Sequence, residues 1–212
     1  MTCPCCWTRK IKAKYYQWPA PRYAQSADEY EMWCTNRLFR SVSGVAREAD
    51  VIFVGIGPLG TQSPIFKDGF INQAQMDELT ARGGIGEILG RFIDAQGDVV
   101  DSEINRMITS YDIRQSHCPR IAAACGEHKR PAILAALKGG WINGLVTDEH
   151  TARWLLDAVT FNSQTATQLL LISRGGTSIR CWLASPASII EKTASSIAGT
   201  SCCTMSISCP SR

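Results

Sequence analysis

The sequence predicts an α/β fold, a mostly parallel sheet flanked by helices, and two stretches carry that prediction. Residues 121–156 read Ile121-Ala-Ala-Ala-Cys125-Gly-Glu-His-Lys129, then an Ala/Leu-rich segment to Lys138, Gly139-Gly140, Trp141-Ile-Asn-Gly-Leu-Val146 and Thr147-Asp148. This is a short apolar strand, a glycine turn, a helix, a second apolar strand and another helix start, the βαβα alternation of α/β proteins. The second stretch, Val51-Ile-Phe-Val54, is a continuous apolar run of strand length. It predicts burial on both faces, as in a parallel sheet.

Taken in order, residues 1–12 show neither helical nor strand periodicity and read as an irregular N-terminal extension. Residues 13–18 are aromatic-rich and predict a strand, stopped at Pro19-Ala20-Pro21 because proline removes a ladder donor and restricts its predecessor. Ser26-Ala-Asp-Glu29 is a capping box, so a helix starts there. Tyr30, Trp33, Arg37 and Leu38 follow at helical spacing, Gly44 is its expected break and Ala49 its end. After the strand at residues 51–54, Gly55-Ile-Gly57-Pro58 serves either as a tight turn or as a loop that a ligand approaches closely. No third glycine completes a dinucleotide fingerprint, which argues against a nicotinamide cofactor.

Residues 71–82 predict an amphipathic helix with Ile71, Met76 and Leu79 inward, closed by Gly83-Gly84. Residues 85–93 alternate as one strand, and Asp94-Ala-Gln-Gly97 is a turn. Residues 98–119 are weakly patterned, a loop with a short helix. Then come a strand at 120–124, a helix at 129–138, a strand at 142–146 and a helix capped by Asp148. Beyond Asp157 serine and threonine become dense, charges rare, and no amphipathic element is evident. This tail, 158–212, is expected to be irregular or disordered.

The totals exclude several functions. With 212 residues and 45% hydrophobic content, the chain can bury a single large core. Its net charge of +3 is mild, and no Lys/Arg cluster forms a nucleic-acid stripe. No apolar run approaches the roughly 20 residues that span a bilayer, and no signal-peptide core is seen, so no membrane association is expected and the expected location is cytoplasmic. Of the 10 cysteines, Cys3, Cys5 and Cys6 crowd the start and Cys202, Cys203 and Cys209 the end, without the paired spacing of a zinc site. His117, His128 and His150 are not spaced as ligands on one helix face, so no metal is expected.

Several motifs in order give a family resemblance. Trp18-Pro-Ala-Pro21, Ala49-Asp50 with the strand into Gly55-Ile-Gly57, Gly86-Glu-Ile-Leu-Gly-Arg-Phe92 followed by Asp94 and Gly97, Cys125-Gly-Glu-His-Lys129, and Gly140-Trp-Ile-Asn-Gly-Leu-Val-Thr-Asp148 make residues 13–157 resemble the effector-binding domain of SorC-type (DeoR/SorC) sugar-binding transcriptional regulators. The resemblance implies a Rossmann-like, isomerase/CoA-transferase-like fold that binds a phosphorylated sugar or polyol, with no cofactor and no enzymatic activity. Family members begin with a helix-turn-helix, and their effector domain opens with a strand and a Trp-Gly-x-Thr phosphate loop. Neither is found here, so the expectation is an N-terminally incomplete domain with effector binding weakened or lost. Full-length relatives bind operator DNA, but no DNA binding is expected from this chain alone.

The family's site residues transfer singly. Lys129 matches the lysine of its Gly-Glu-x-Lys motif, where relatives contact the ligand's phosphate or hydroxyls. Glu87 takes the place of a usual aspartate that bonds sugar hydroxyls, with Leu89 as a packing contact. Gly55, Gly57 and Gly126 complete the expected effector site. A simpler role remains open for each: a solvated helix lysine for Lys129, the outward residue of an edge strand for Glu87, a plain turn for Gly55 and Gly57. Two other functions stay open as well. One is a sugar-phosphate isomerase with Glu87 as base, although no second acid or histidine completes the pair. The other is an oligomerisation module, pairing with full-length regulators or forming a homo-oligomer.

Overall fold

The computed structural model describes residues 13–158 in full, together with strand backbone at Leu169–Gly175, Ser178–Ser185 and Ser188–Ala194. The extension at residues 1–12 lies outside the described residues. Residues 13–18 form no strand. Instead Trp18 meets Phe39 edge to face, with ring centroids 5.0 Å apart, and Tyr15 and Tyr16 remain exposed.

Helix α1 (Ala27–Thr35) starts where the capping box predicts. The Ser26 hydroxyl accepts from the Glu29 N–H, while the Glu29 carboxylate accepts from the Gln25 N–H at 2.8 Å, one residue before the cap. The expected single helix then breaks at Asn36 and not at Gly44. Asn36 is extended, and its side-chain oxygen accepts from the N–H groups of Leu38 and Phe39, so it ends α1 and caps α2 (Arg37–Arg47). Gly44 is carried inside α2, its cost absorbed by the turns on either side.

Strand β1 (Ile52–Val54) leads through the glycine loop to β2 (Gly57–Pro58). A short α3 (Pro64–Lys67) and α4 (Gln73–Ala81) follow, the latter fixed by a full capping box between Asn72 and Gln75. Ile71, Met76 and Leu79 are buried as expected, and Gly83 closes the helix at φ +82°. Residues 84–94 differ from the expected single strand. They form a hairpin, β3 (Gly84–Ile88) and β4 (Arg91–Asp94), turning at Leu89 (φ +52°) and Gly90 (φ +88°). With β2 they make a three-stranded antiparallel sheet, β2-β3-β4, in which Gly57 pairs with Glu87 and Pro58 with Gly86. Helix α5 (Glu103–Arg106) and a single 3-10 turn (Ile113–Gln115) fill the weakly patterned region.

The main sheet has the order β1-β5-β6-β7-β8-β9, with β5 at Arg120–Ala123, β6 at Gly144–Thr147, and β7, β8 and β9 at the three later segments. Strands β1, β5, β6 and β7 run parallel, and β8 and β9 return antiparallel. The tail, expected to be irregular, thus contributes three strand segments. Between the parallel strands run α6 (Arg130–Lys138) and α7 (Glu149–Ala158). Strand order advances in one direction, so right-handed crossovers place both helices on one face of the sheet. Val54, Ala122 and Leu145 share that face and form the main core with Ala132, Ile133, Ala136, Ala152 and Leu155. The opposite face explains why the apolar run at 51–54 is not buried on both sides as predicted. Phe53 is 69% exposed there and Val146 40%.

Candidate functional site

Parallel strands end together, and the carboxyl ends of β1, β5 and β6 bring three connecting loops to one rim of the sheet. After β5 the chain turns at Gly126, whose φ of +101° suits glycine, and enters a 3-10 turn, Glu127–Lys129, continuous with α6. Lys129 caps α6, and the N–H groups around it are already spent: those of Lys129 and Arg130 donate to the Gly126 and Glu127 carbonyls, and Pro131 has none. Lys129 lines a cleft of about 410 Å³ together with Ala124, Cys125, Thr147 and Asp148. Among the described residues it makes no ion pair.

Asp148 does two jobs. Its Oδ1 accepts from the Thr151 N–H at 2.8 Å, the N-cap role expected of it, while its Oδ2 accepts from the Thr151 hydroxyl at 2.7 Å and from the Gly126 N–H at 3.0 Å. The second set fastens the glycine turn to the start of α7. Burial pushes the Asp148 carboxyl up, but the hydrogen bonds from Thr151 and Gly126 outweigh it and hold the group below the usual carboxylate range. The carboxylate therefore stays ionised at neutral pH, and the cleft carries its negative charge beside the positive charge of Lys129. The fastening residue Thr151 escapes a reading of the sequence aimed at charged groups, although it stands at N3 of the helix that Asp148 caps.

Of the expected site residues, Lys129 lines this cleft and Gly126 forms the turn before it. Strand β2, which holds Gly57, lies against the 3-10 turn of Lys129, while Gly55 sits in the loop between β1 and β2. Glu87 pairs with Gly57 so closely that a Cβ on Gly57 would stand 2.7 Å from the Glu87 carboxylate. Its other oxygen accepts from the Gly90 N–H at 2.7 Å, so Glu87 braces the hairpin turn. Leu89 goes elsewhere. It lines a larger cavity of about 530 Å³ along the open edge of β1, with Trp18, Phe53, Ser110 and Tyr111. The loop on that side is anchored by Arg91, which donates to the Ser110 hydroxyl and to the carbonyls of Ser110 and Tyr111. Among the described residues no cluster of three His, Cys, Asp or Glu side chains could hold a metal, and no helix is long and apolar enough to cross a membrane.

Comparisons with known proteins agree with this architecture. The erythritol catabolism regulatory protein EryD of Brucella abortus is 32% identical over 142 residues, covering 66% of this chain and 45% of EryD. The transcriptional regulator LsrR of Escherichia coli O157:H7 is 39% identical over 143 residues, covering 65% of this chain and 45% of LsrR. The chain therefore spans about half the length of these curated relatives. Among solved structures, the full-length sorbitol operon regulator SorC of Klebsiella pneumoniae superposes with a TM-score of 0.62 at 28% identity, covering 70% of this chain and 49% of that one. A DeoR family transcriptional regulator from Listeria monocytogenes shares the fold, with a TM-score of 0.67 at 24% identity over 70% of this chain and 61% of that one. The family model described as "Putative sugar-binding domain" matches residues 7–157, and the chain belongs to that family, the sugar-binding domain of SorC- and DeoR-type transcriptional regulators.

Proposed function

We propose that this chain is the effector-binding, non-enzymatic part of a cytoplasmic transcriptional regulator, and that it takes a phosphorylated sugar or polyol at the cleft beside Lys129. The observation that carries the reading is Lys129 at the start of α6, which makes no ion pair among the described residues, in a cleft where the Asp148 carboxylate is held by Gly126 and Thr151. A phosphate oxygen arriving there meets the positive charge of Lys129 and the positive end of the α6 dipole. Glu87 supports the non-enzymatic reading. A general base must reach the substrate proton, and this carboxylate is turned to the hairpin.

Calorimetry against sorbitol 6-phosphate, erythritol 4-phosphate and ribose 5-phosphate tests the proposal. Binding is expected to fall at least ten-fold in Lys129→Ala, about the loss of one charge-assisted hydrogen bond. Binding of unchanged strength in that variant would remove Lys129 from the site. Turnover of any of these esters, abolished by Glu87→Gln, would restore the isomerase reading.

Phe53 and Val146, exposed on one face of β1 and β6, favour a second reading, self-association through that face. Sedimentation over a concentration series is expected to show a dimer that Phe53→Lys weakens. A monomer at every concentration would remove this reading.

A further inference from the structure

Burying a hydroxyl without a hydrogen-bond partner is costly, so proteins rarely do it outside functional sites. Four side chains of the described residues hold a buried, unpartnered nitrogen or oxygen: Trp18, Arg120, Arg130 and Thr147. Trp18 Nε1 can only donate, as can both guanidinium Nε atoms. Arg120 is otherwise well anchored, through carbonyls of Ser116 and Gly140, and Arg130 faces Glu127 and the Trp154 ring. Thr147 is different. Its hydroxyl both donates and accepts, the residue is only 6% exposed, and it lines the same cleft as Lys129.

The described neighbours of Thr147 do not explain this orphan. The adjacent Asp148 carboxylate spends its oxygens on Thr151 and Gly126, and the Ala124 N–H bonds to the Val146 carbonyl. Valine would fill the same volume and suit strand β6 better, with no polar group to desolvate. A threonine at this position makes sense when a partner for its hydroxyl arrives from the cleft.

We propose that Thr147 is a ligand-contacting, specificity-determining residue, whose hydroxyl bonds a hydroxyl of a polyhydroxylated phosphate ester while Lys129 takes the phosphate. The inference rests on the effector reading of this cleft. It adds that the site recognises the carbon chain of the ligand as well as its charge. Sites built to hydrogen-bond a substrate hydroxyl discriminate strongly against analogues that lack it.

The test measures affinity of the full chain, and of its Thr147→Val, Thr147→Ser and Lys129→Ala variants, for sorbitol 6-phosphate, erythritol 4-phosphate, ribose 5-phosphate and inorganic phosphate. Thermal unfolding without ligand is the control. Thr147→Val is expected to unfold at the wild-type temperature or above it, since it loses no internal hydrogen bond. It is expected to bind the favoured ester about ten-fold to a hundred-fold more weakly, to keep wild-type affinity for inorganic phosphate, and to be rescued by Thr147→Ser. Wild-type affinity for the ester in Thr147→Val, with weakened binding in Lys129→Ala, would overturn the role of Thr147 and leave the effector reading standing. No binding of any ester by the wild-type chain would overturn both.

Discussion

Single residues carry much of the local order around the cleft, and Asp148 is the clearest case. As N-cap of α7 and anchor of Gly126 it joins two loops with one side chain. Asp148→Ala is expected to cost about 1 kcal/mol for the cap alone, read by chemical denaturation. The pH dependence has a definite sign. The folded pKa lies below the unfolded one, near 4, so this stabilisation is present above about pH 4 and is lost as pH falls through the lower folded value. The stability gap between wild type and Asp148→Asn should therefore stay constant from about pH 5 to 7 and close in more acidic buffer. Tyr23 shows the opposite sign. Burial and the nearby Glu87 carboxylate raise its phenol well above the usual value, which keeps it protonated and donating to the Gly90 carbonyl at 2.6 Å. Tyr23→Phe is expected to cost about 1 kcal/mol below pH 10. That difference should shrink as pH climbs through the raised folded value, and one that persisted unchanged in strong alkali would show that the hydroxyl proton is not what matters.

Elements show what the sequence could and could not reveal. Strands β1, β5 and β6 and helices α6 and α7 were legible because apolar runs, glycine turns and caps agree within each segment, and Lys129 was found as part of that pattern, whereas β7 lies in a stretch read as irregular. The β3-β4 hairpin was not. Alternation through residues 85–93 continues on both sides of the turn, and the turn itself is Leu89-Gly90 in place of the usual Asn-Gly. A leucine at φ +52° gives no signal in composition, and its conformation is imposed from outside. Tyr23 and Glu87 hold Gly90, and the Ser110 hydroxyl donates to the Leu89 carbonyl. The break at Asn36 was equally hidden, because Asn36 interrupts two helical patterns that happen to be in phase. Leu89 makes a direct test of imposed strain. Leu89→Asn fits the left-handed turn with less steric cost, and since Leu89 is already 37% exposed, stability is expected to rise by about 0.5 to 1 kcal/mol in denaturant titration. Lower stability would mean that the contacts of Leu89 in the larger cavity outweigh the strain.

At the scale of the whole molecule the question is how two sheets of different kinds act as one body, and α6 supplies the answer. Its buried side joins the main core, while Ala132 touches the small sheet at Gly86, where a Cβ would approach the Ala132 Cβ to 2.5 Å. At its other end Gly139 meets Gly97, the turn after β4. A Cβ on Gly97 would lie 2.2 Å from the Ala135 carbonyl oxygen, and one on Gly139 2.4 Å from that of Gly97. The buried Trp141 completes this clasp by donating to the Gly97 carbonyl at 2.7 Å, with the Arg114 guanidinium stacked 4.0 Å over its ring. Since Lys129 stands at one end of α6 and the small sheet packs against its turn through β2, loosening the clasp should disturb the cleft from a distance. Gly97→Ala must strain a φ of +86° as well as displace backbone atoms, and is expected to cost more than 3 kcal/mol. Gly139→Ala breaks the same contact without the dihedral strain. If the two glycines act as one clasp, the double variant loses clearly less stability than the two single losses added together. Additive losses would mean that the two glycines do not act as one clasp.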